Sequence, residues 1–177
     1  MNLSDLKTLY EARQSCRSFE KREVDRALLE EVMETALLAP SACNLQPWKL
    51  VCATGETKQK LFDCMTVKGM NINRFAENAP ALIAVCSNAD EKNKKRHVME
   101  FVPFDLGGLT SHLVLAAEAA GLSTCILGWR DEPKIRECLS LPEDVSIPVL
   151  VAIGYKTEGY ETRKKARRVP TESIEYR

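Results

Sequence analysis

Apolar residues recur three and four positions apart along much of the chain, which is the spacing of an amphipathic helix. The clearest stretch follows Asp25, a good helix cap, and carries leucine, valine, methionine and alanine on one face. The predicted helices cover residues 3–13, 25–39, 56–65, about 104–120, and a short segment that begins at Asp131 with Pro133. The 104–120 helix ends at Gly121, a typical C-cap residue. Its smooth face of leucine and alanine predicts close contact with another helix, in the core of a dimer.

Continuous apolar runs predict strands that are buried on both faces. The strongest run is residues 81–86, and residues 48–53 and 147–155 form two more. Residues 88–100 are charged and lack an apolar period, so we expect a surface segment there. Helices and strands are mixed along the chain without repeats or a linker, which predicts one α+β domain over residues 1–177.

Composition and charge exclude several classes of protein. The 177 residues are 45% hydrophobic, which is enough for a sizeable core. Basic and acidic residues balance at 25 each, which argues against bulk attraction to nucleic acid or to a membrane surface. The N-terminus is typical of an amphipathic helix rather than an apolar signal segment, and no apolar run is long enough to span a membrane. We therefore expect a cytoplasmic protein.

Cysteine spacing gives no sign of a metal site. No C-x-x-C pair occurs among the seven cysteines, which are Cys16, Cys43, Cys52, Cys64, Cys86, Cys125 and Cys138. Structural zinc and iron–sulfur sites usually contain such pairs, so neither is predicted. We interpret the cysteines as packing residues, including Cys16 and Cys43, which lie inside two polar motifs.

The first polar motif connects the second helix to the first strand. Residues 39–48 contain a hydroxyl, on Ser41, and two amides, on Asn44 and Gln46, between two prolines. Each amide can donate and accept, so the segment suits the polar edge of a flat heterocycle. The alternative is a proline-bounded turn whose amides satisfy their own backbone.

The second polar motif, Arg13-Gln14-Ser15-Cys16-Arg17, places two guanidinium groups and a hydroxyl at alternate positions. In an extended chain, alternate side chains project to the same side. Two arginines and a serine on one side form a good phosphate site, because guanidinium binds phosphate oxygens bidentately. The alternative is a solvated basic strip just past a helix end.

Together the two motifs resemble the nitroreductase family of FMN-dependent oxidoreductases, whose segments R-x-S-x-R and A-P-S-x-x-N-x-Q-P-W they match. Similar segments follow in the family's order at residues 79–83, 105–107, 121–128, 141–142, 151–155 and 165–174. The resemblance implies a central mixed β-sheet flanked by helices, and a homodimer with the flavin at the subunit interface. It also implies a domain-swapped C-terminal tail that crosses onto the partner subunit.

The resemblance further implies a place for each part of FMN. The phosphate would bind Arg13, Ser15 and the tail cluster Lys165, Arg167 and Arg168, and the neighbouring Gln14 would also contact the cofactor. The register of that cluster stays open, since Lys165 and Arg167 keep the family's spacing while Arg168 keeps its distance to Pro170. The ring would meet Arg17 at its N1–C2 edge, then the backbone of Leu127 and Gly128, Asn73, and, across the dimer interface, Ser41, Asn44 and Gln46.

The implied reaction is a ping-pong transfer of hydride from NADH or NADPH to the flavin and on to a small electron-poor acceptor. Nitroaromatics, quinones and enones are such acceptors, and the flavin chemistry requires no catalytic side chain. Two alternatives stay open: specialised family chemistry such as reductive dehalogenation or flavin fragmentation, and a flavin-binding redox module without NAD(P)H turnover. The balanced charge argues against a nucleic-acid binder with a basic tail.

Overall fold

The structure, a computed structural model, describes residues 2–87 and 99–177, so the predicted surface segment at 88–100 falls almost wholly outside the described residues. Within these ranges the α-helices are α1 Leu3–Ala12, α2 Arg26–Ala36, α3 Gly55–Asp63, α4 Val102–Ala119 and α5 Glu132–Cys138. The strands of the same ranges are β1 Trp48–Thr54, β2 Ala81–Ser87, β3 Ser123–Leu127 and β4 Val149–Gly154. None of the described helices is long and apolar enough to cross a membrane.

The strands form one sheet in the order β1-β2-β4-β3, and every neighbouring pair is antiparallel. This arrangement corrects the prediction of a mixed sheet, because the described strands include no parallel pair. In the described part of the chain, parallel pairing is limited to an isolated bridge between Ser15 and Thr124, where the segment after α1 runs beside β3. The sheet therefore has β1 at one edge and β3 at the other, and the segment at Ser15 and Cys16 lies beside the β3 edge at Thr124.

β3 lies within residues 121–128, a segment that resembles the family but that the apolar pattern did not predict as a strand. The strand pairs with β4 along its whole length, from Ser123 opposite Gly154 to Leu127 opposite Leu150. Its five residues are too few to show a clear apolar period, so the local sequence did not distinguish this strand from a turn.

Apolar side chains pack on both faces of the sheet. All seven residues of β2 are buried, as the continuous apolar run predicted. Because strand side chains alternate, one set of β2 side chains packs under α3 and α5, and the other packs under α2 and α4. The first set is Leu82, Ala84 and Cys86, and the second is Ala81, Ile83 and Val85. Each of the six apolar residues of this strand therefore contributes to a core.

The smooth leucine and alanine face of α4 packs against its own chain. Leu109, Leu113 and Ala117 are fully buried in the core shared with α2 and the sheet. This face therefore lies in the core of the subunit, not of a dimer, which corrects the sequence-based expectation. On the other side of the helix, Phe104 is 80% exposed, and a Cβ added at Gly107 would meet no heavy atom within 4 Å.

Candidate functional site

The arginines and the serine of the Arg13–Arg17 motif lie on a segment that follows α1. The Cys16 amide donates to the Thr124 carbonyl at 2.8 Å, which places the segment against the outer edge of β3. The Cys16 side chain is fully buried, as expected of a packing residue. Arg13, Ser15 and Arg17 line one pocket, so they share a face as the alternation predicted.

This pocket, hereafter the cationic pocket, has a volume of about 330 Å³. Its predicted lining residues are Arg13, Gln14, Ser15, Arg17, Lys165 and Arg167, and the structure adds Arg163 and Lys164. Arg168 is not among the lining residues, which favours the register in which Lys165 and Arg167 face the site. Since six of the eight lining residues are arginine or lysine, the pocket is suited to an anion.

Residues of the C-terminal tail bind the backbone of the motif. The Lys165 ammonium donates to the carbonyl of Arg13, 152 positions earlier in the chain. The Arg163 guanidinium donates to the Ser15 carbonyl at 3.0 Å, and the Tyr160 hydroxyl contacts the same carbonyl at 3.5 Å. The pocket is therefore built from both ends of the chain.

Gln14 is engaged by the same tail through both ends of its amide. Its Nε2 donates to the Glu161 carbonyl at 3.2 Å, and its Oε1 accepts the Arg163 amide at 3.1 Å. Gln14, which the sequence analysis assigned to the cofactor, therefore also connects the two segments that line the pocket.

The charged groups around the pocket influence one another. Burial lowers the pKa of Lys165, and the nearby guanidinium groups of Arg13 and Arg167 lower it further. Burial raises the pKa of Glu118, while Lys156, Arg13 and Lys165 counteract part of that rise. A half-buried carboxylate therefore attracts the same cations that face the pocket.

The loop that carries Ser41, Asn44 and Gln46 is ordered by its own hydrogen bonds. The backbone N–H of Gln46 donates to Ser41 Oγ at 2.9 Å, and the side-chain Nε2 of Gln46 donates to Asn44 Oδ1 at 3.2 Å. Asn44 and Gln46 are exposed, and none of the three residues lines the cationic pocket of its own chain. Cys43 is exposed as well, so its interpretation as a packing residue is wrong.

The turn after β3 is held from several sides. Leu127 is buried, whereas Gly128 is exposed, and a Cβ there would meet no heavy atom within 4 Å. Arg130 Nη1 donates to the Gly128 carbonyl at 2.8 Å. Asn73, 6% exposed, donates from Nδ2 to the Trp129 carbonyl at 3.0 Å. Its amide therefore supports this turn from within the protein.

Arg17 connects the cationic pocket with this region. It lines the pocket, and its guanidinium lies 5.9 Å from the centre of the Phe75 ring, two positions from Asn73. Burial raises the pKa of Cys125, and Arg17, together with a hydrogen bond from Ser15, lowers it in part. A cation therefore lies close enough to Cys125, in the middle of β3, to influence its thiol.

Most cysteine thiols are packing groups in this fold. Burial raises the pKa of Cys52, Cys64 and Cys86 to about 11 each, which keeps these thiols protonated at neutral pH. Within residues 2–87 and 99–177, no group of three or more His, Cys, Asp or Glu side chains is arranged to hold a metal ion.

Comparisons with known proteins place these features in a family. The family model described as "Nitroreductase family" matches residues 10–155 of the sequence. An NADH dehydrogenase of Thermus thermophilus is 29% identical, and the match covers 96% of this chain and 94% of the relative. An oxygen-insensitive NADPH nitroreductase of Helicobacter acinonychis is 26% identical, and that match covers 98% of this chain and 97% of the relative. A crystal structure described as an oxidoreductase containing FMN superposes with a TM-score of 0.74 at 26% identity, covering 85% of this chain and 76% of its own.

Proposed function

The chain belongs to the nitroreductase family, and we propose that it is an FMN-dependent oxidoreductase whose single domain spans residues 1–177. NADH or NADPH is the proposed hydride donor, and a small electron-poor molecule such as a nitroaromatic, quinone or enone is the proposed acceptor. The names of the relatives support the donor, and the FMN-containing crystal structure supports the cofactor.

The cationic pocket is the observation that carries this proposal. A phosphate dianion requires positive charge and N–H or O–H donors, and Arg13, Ser15, Lys165 and Arg167 supply both. A neutral ligand would leave the repulsion among six neighbouring cations uncompensated, so the donor set fits a phosphate.

Bound FMN would supply the hydride-accepting and hydride-donating chemistry of its ring. The Arg17 guanidinium would stabilise the negative charge that reduction places at the N1–C2 edge. The backbone N–H groups at Leu127 and Gly128 would approach the N5 side, where the absence of a Cβ at Gly128 leaves room. The proposed role of the protein is to bind and orient, without a catalytic acid or base.

We propose that two copies of the chain complete the site. Ser41, Asn44 and Gln46 do not line the pocket of their own chain, yet their loop is preformed and two of these side chains are exposed. A dimer would bring these amides to the ring edge of the other subunit. The outward side of α4, with exposed Phe104 and open Gly107, offers a surface for close packing.

A swapped C-terminal tail is the second part of this dimer proposal. Val169, Ile174 and Tyr176 are 56%, 55% and 94% exposed. The β1 edge of the sheet is unpaired in the order of the described strands, and a groove of about 440 Å³ beside it is lined by Met33 and Trp48 among others. The tail of a second copy on this edge would cover it.

The visible spectrum of the purified protein tests the cofactor and the activity together. We expect a yellow protein whose flavin absorption bleaches when NADH or NADPH is added without oxygen, and recovers on addition of a quinone. A protein that stays colourless after FMN is supplied would overturn the cofactor proposal. A yellow protein that neither nucleotide bleaches would overturn the enzyme proposal in favour of a redox module.

Subunit complementation tests the shared site. R13A and Q46A homodimers should each bind FMN weakly, since every site lacks one component. A mixed dimer has one site with both residues intact, so mixing should restore tight binding in up to one site per dimer. Light scattering should show a dimer throughout, and mixtures that bind no better than the separate variants would contradict a site built from two subunits.

A further inference from the structure

The backbone of residues 15–17 is hydrogen-bonded on both of its edges. On the inner edge, the Cys16 amide donates to the Thr124 carbonyl of β3 at 2.8 Å. On the outer edge, the Arg17 amide donates to the Tyr160 hydroxyl at 3.0 Å, and that hydroxyl donates to the Ser15 carbonyl at 3.5 Å. One phenol therefore binds the two peptide groups that a neighbouring strand would bind in a parallel ladder.

This arrangement controls where two functional side chains point. In an extended segment, the carbonyl of one residue and the amide two positions later face the same way, so one hydroxyl can fix both peptide planes. Ser15 and Arg17 project from these planes into the cationic pocket. Tyr160 is not among the residues that line the pocket, so it acts on the pocket through Ser15 and Arg17.

The neighbouring tail contacts have different targets. Arg163 binds the Ser15 carbonyl but not the Arg17 amide. Thr157 makes two hydrogen bonds to Ser18, just outside the motif. The Thr157 amide donates to the Ser18 carbonyl at 3.2 Å, and Thr157 Oγ1 donates to Ser18 Oγ at 3.0 Å. In the tail, the Tyr160 hydroxyl therefore bonds inside the motif, and the Thr157 hydroxyl bonds just beside it.

We infer that Tyr160 is a positioning residue of the flavin site, whose hydroxyl holds Ser15 toward the phosphate and Arg17 toward the N1–C2 edge of the ring. The inference rests on the proposed function, since it assigns these two targets. The ring of Tyr160 packs against the apolar core, so phenylalanine at this position keeps the packing and removes only the hydroxyl.

Tyr160→Phe and Thr157→Val are the matched variants, because each removes one tail hydroxyl that bonds to the N-terminal segment. In Y160F, we expect FMN to bind about ten-fold more weakly, the loss expected for one hydrogen-bonded hydroxyl. We also expect a more negative flavin midpoint potential, because a displaced Arg17 stabilises the reduced ring less well. T157V should keep wild-type values of both, with a similar thermal midpoint of the FMN-free protein.

A double-mutant cycle separates positioning from general tethering. In an R17Q background the hydroxyl has no guanidinium to position, so adding Y160F should leave the midpoint potential unchanged. An equal shift in both backgrounds, or wild-type affinity and potential in Y160F, would overturn the role of Tyr160 while leaving the proposed function intact. A wild-type protein that does not bind FMN would overturn both.

Discussion

Asp105 and Ala42, 63 positions apart in the chain, are joined by a hydrogen bond in which the Ala42 amide lies 3.2 Å from each carboxylate oxygen of Asp105. Asp105 is 4% exposed and lies in the first turn of α4, where a negative charge complements the helix dipole. The bond anchors a loop in which Cys43, Asn44 and Gln46 have positive φ angles of 52°, 53° and 50°. Such angles are costly for L-residues, so a distant carboxylate stabilises a conformation that the local sequence disfavours.

Replacing Asp105 with asparagine should loosen this loop. The amide keeps the shape but offers one acceptor oxygen and no charge, so we expect a loss of about 1–3 kcal/mol in the free energy of unfolding. FMN affinity should also fall, because the loop carries three proposed ring contacts. Urea unfolding and FMN titration measure the two effects. Asp25→Asn is the control, since asparagine caps α2 equally well, and a D105N protein as stable as D25N would contradict the prediction.

The tail cations should differ in their importance for FMN. Lys165 and Arg167 line the cationic pocket and Arg168 does not. We expect alanine at either lining position to weaken FMN binding by about 10- to 100-fold, the loss of a charge-assisted hydrogen bond, and Arg168→Ala to change it by less than about two-fold. Quenching of FMN fluorescence during titration measures the affinities. A loss in R168A as large as in R167A would favour the other register of the cluster.

Glu118 should make stability depend on pH. Burial raises its pKa in the folded state, so the folded protein binds the proton more tightly than the unfolded chain. Folding stability is therefore lost as pH rises from the usual glutamate range through the raised pKa, and the loss is constant above it. Glu118→Gln removes this loss, so its stability should exceed that of the wild type at about pH 7 and match it at about pH 3.

Denaturant unfolding across this pH range checks the prediction, with the exposed Glu137→Gln as a control that should follow the wild type. Glu118→Gln should also bind FMN more tightly at neutral pH, because Arg13 and Lys165 lose a competing negative charge. An E118Q protein that is less stable than wild type at neutral pH would mean that attraction to these cations outweighs the cost of burial.

Two glycines should separate stability from function. A Cβ at Gly154 would lie 2.4 Å from Pro80 Cδ, whereas one at Gly128 would meet nothing within 4 Å. We expect Gly154→Ala to cost about 1–3 kcal/mol of stability through overpacking, with FMN affinity retained under native conditions. Gly128→Ala should keep wild-type stability and slow flavin reduction by NAD(P)H. Thermal unfolding and anaerobic stopped-flow absorbance measure the two outcomes, and a G128A protein with wild-type reduction kinetics would contradict the proposed N5 contact.

The sequence predicted structure correctly where a local residue pattern fits only one kind of structure. The apolar run at residues 81–86 became β2, buried on both faces, and the alternation of Arg13, Ser15 and Arg17 placed them on one pocket. The predicted helix at 25–39 begins as expected but ends at Ala36, because the following residues turn toward Pro40. The family resemblance, which rested on ordered motifs, is confirmed by the family model over residues 10–155.

Features that depend on contacts between distant segments were not predicted. Arg163 and Tyr160 carry no motif, and only the folded tail brings them to Ser15. Asn73 was selected as a ring contact, whereas its amide is directed to the Trp129 carbonyl. The smooth face of α4 indicated a helix neighbour correctly, but sequence periodicity cannot tell whether that neighbour belongs to the same chain.

The bonds between the Arg13–Arg17 motif and the tail also set an order of events during synthesis. Lys165 and Tyr160 are 152 and 143 positions beyond their partners, so the motif leaves the ribosome long before its supports are made. A nascent chain can form the early helices, yet its cationic pocket has only one wall. On the proposed assignment of the pocket, acquisition of the cofactor would therefore wait until Arg167 has been translated.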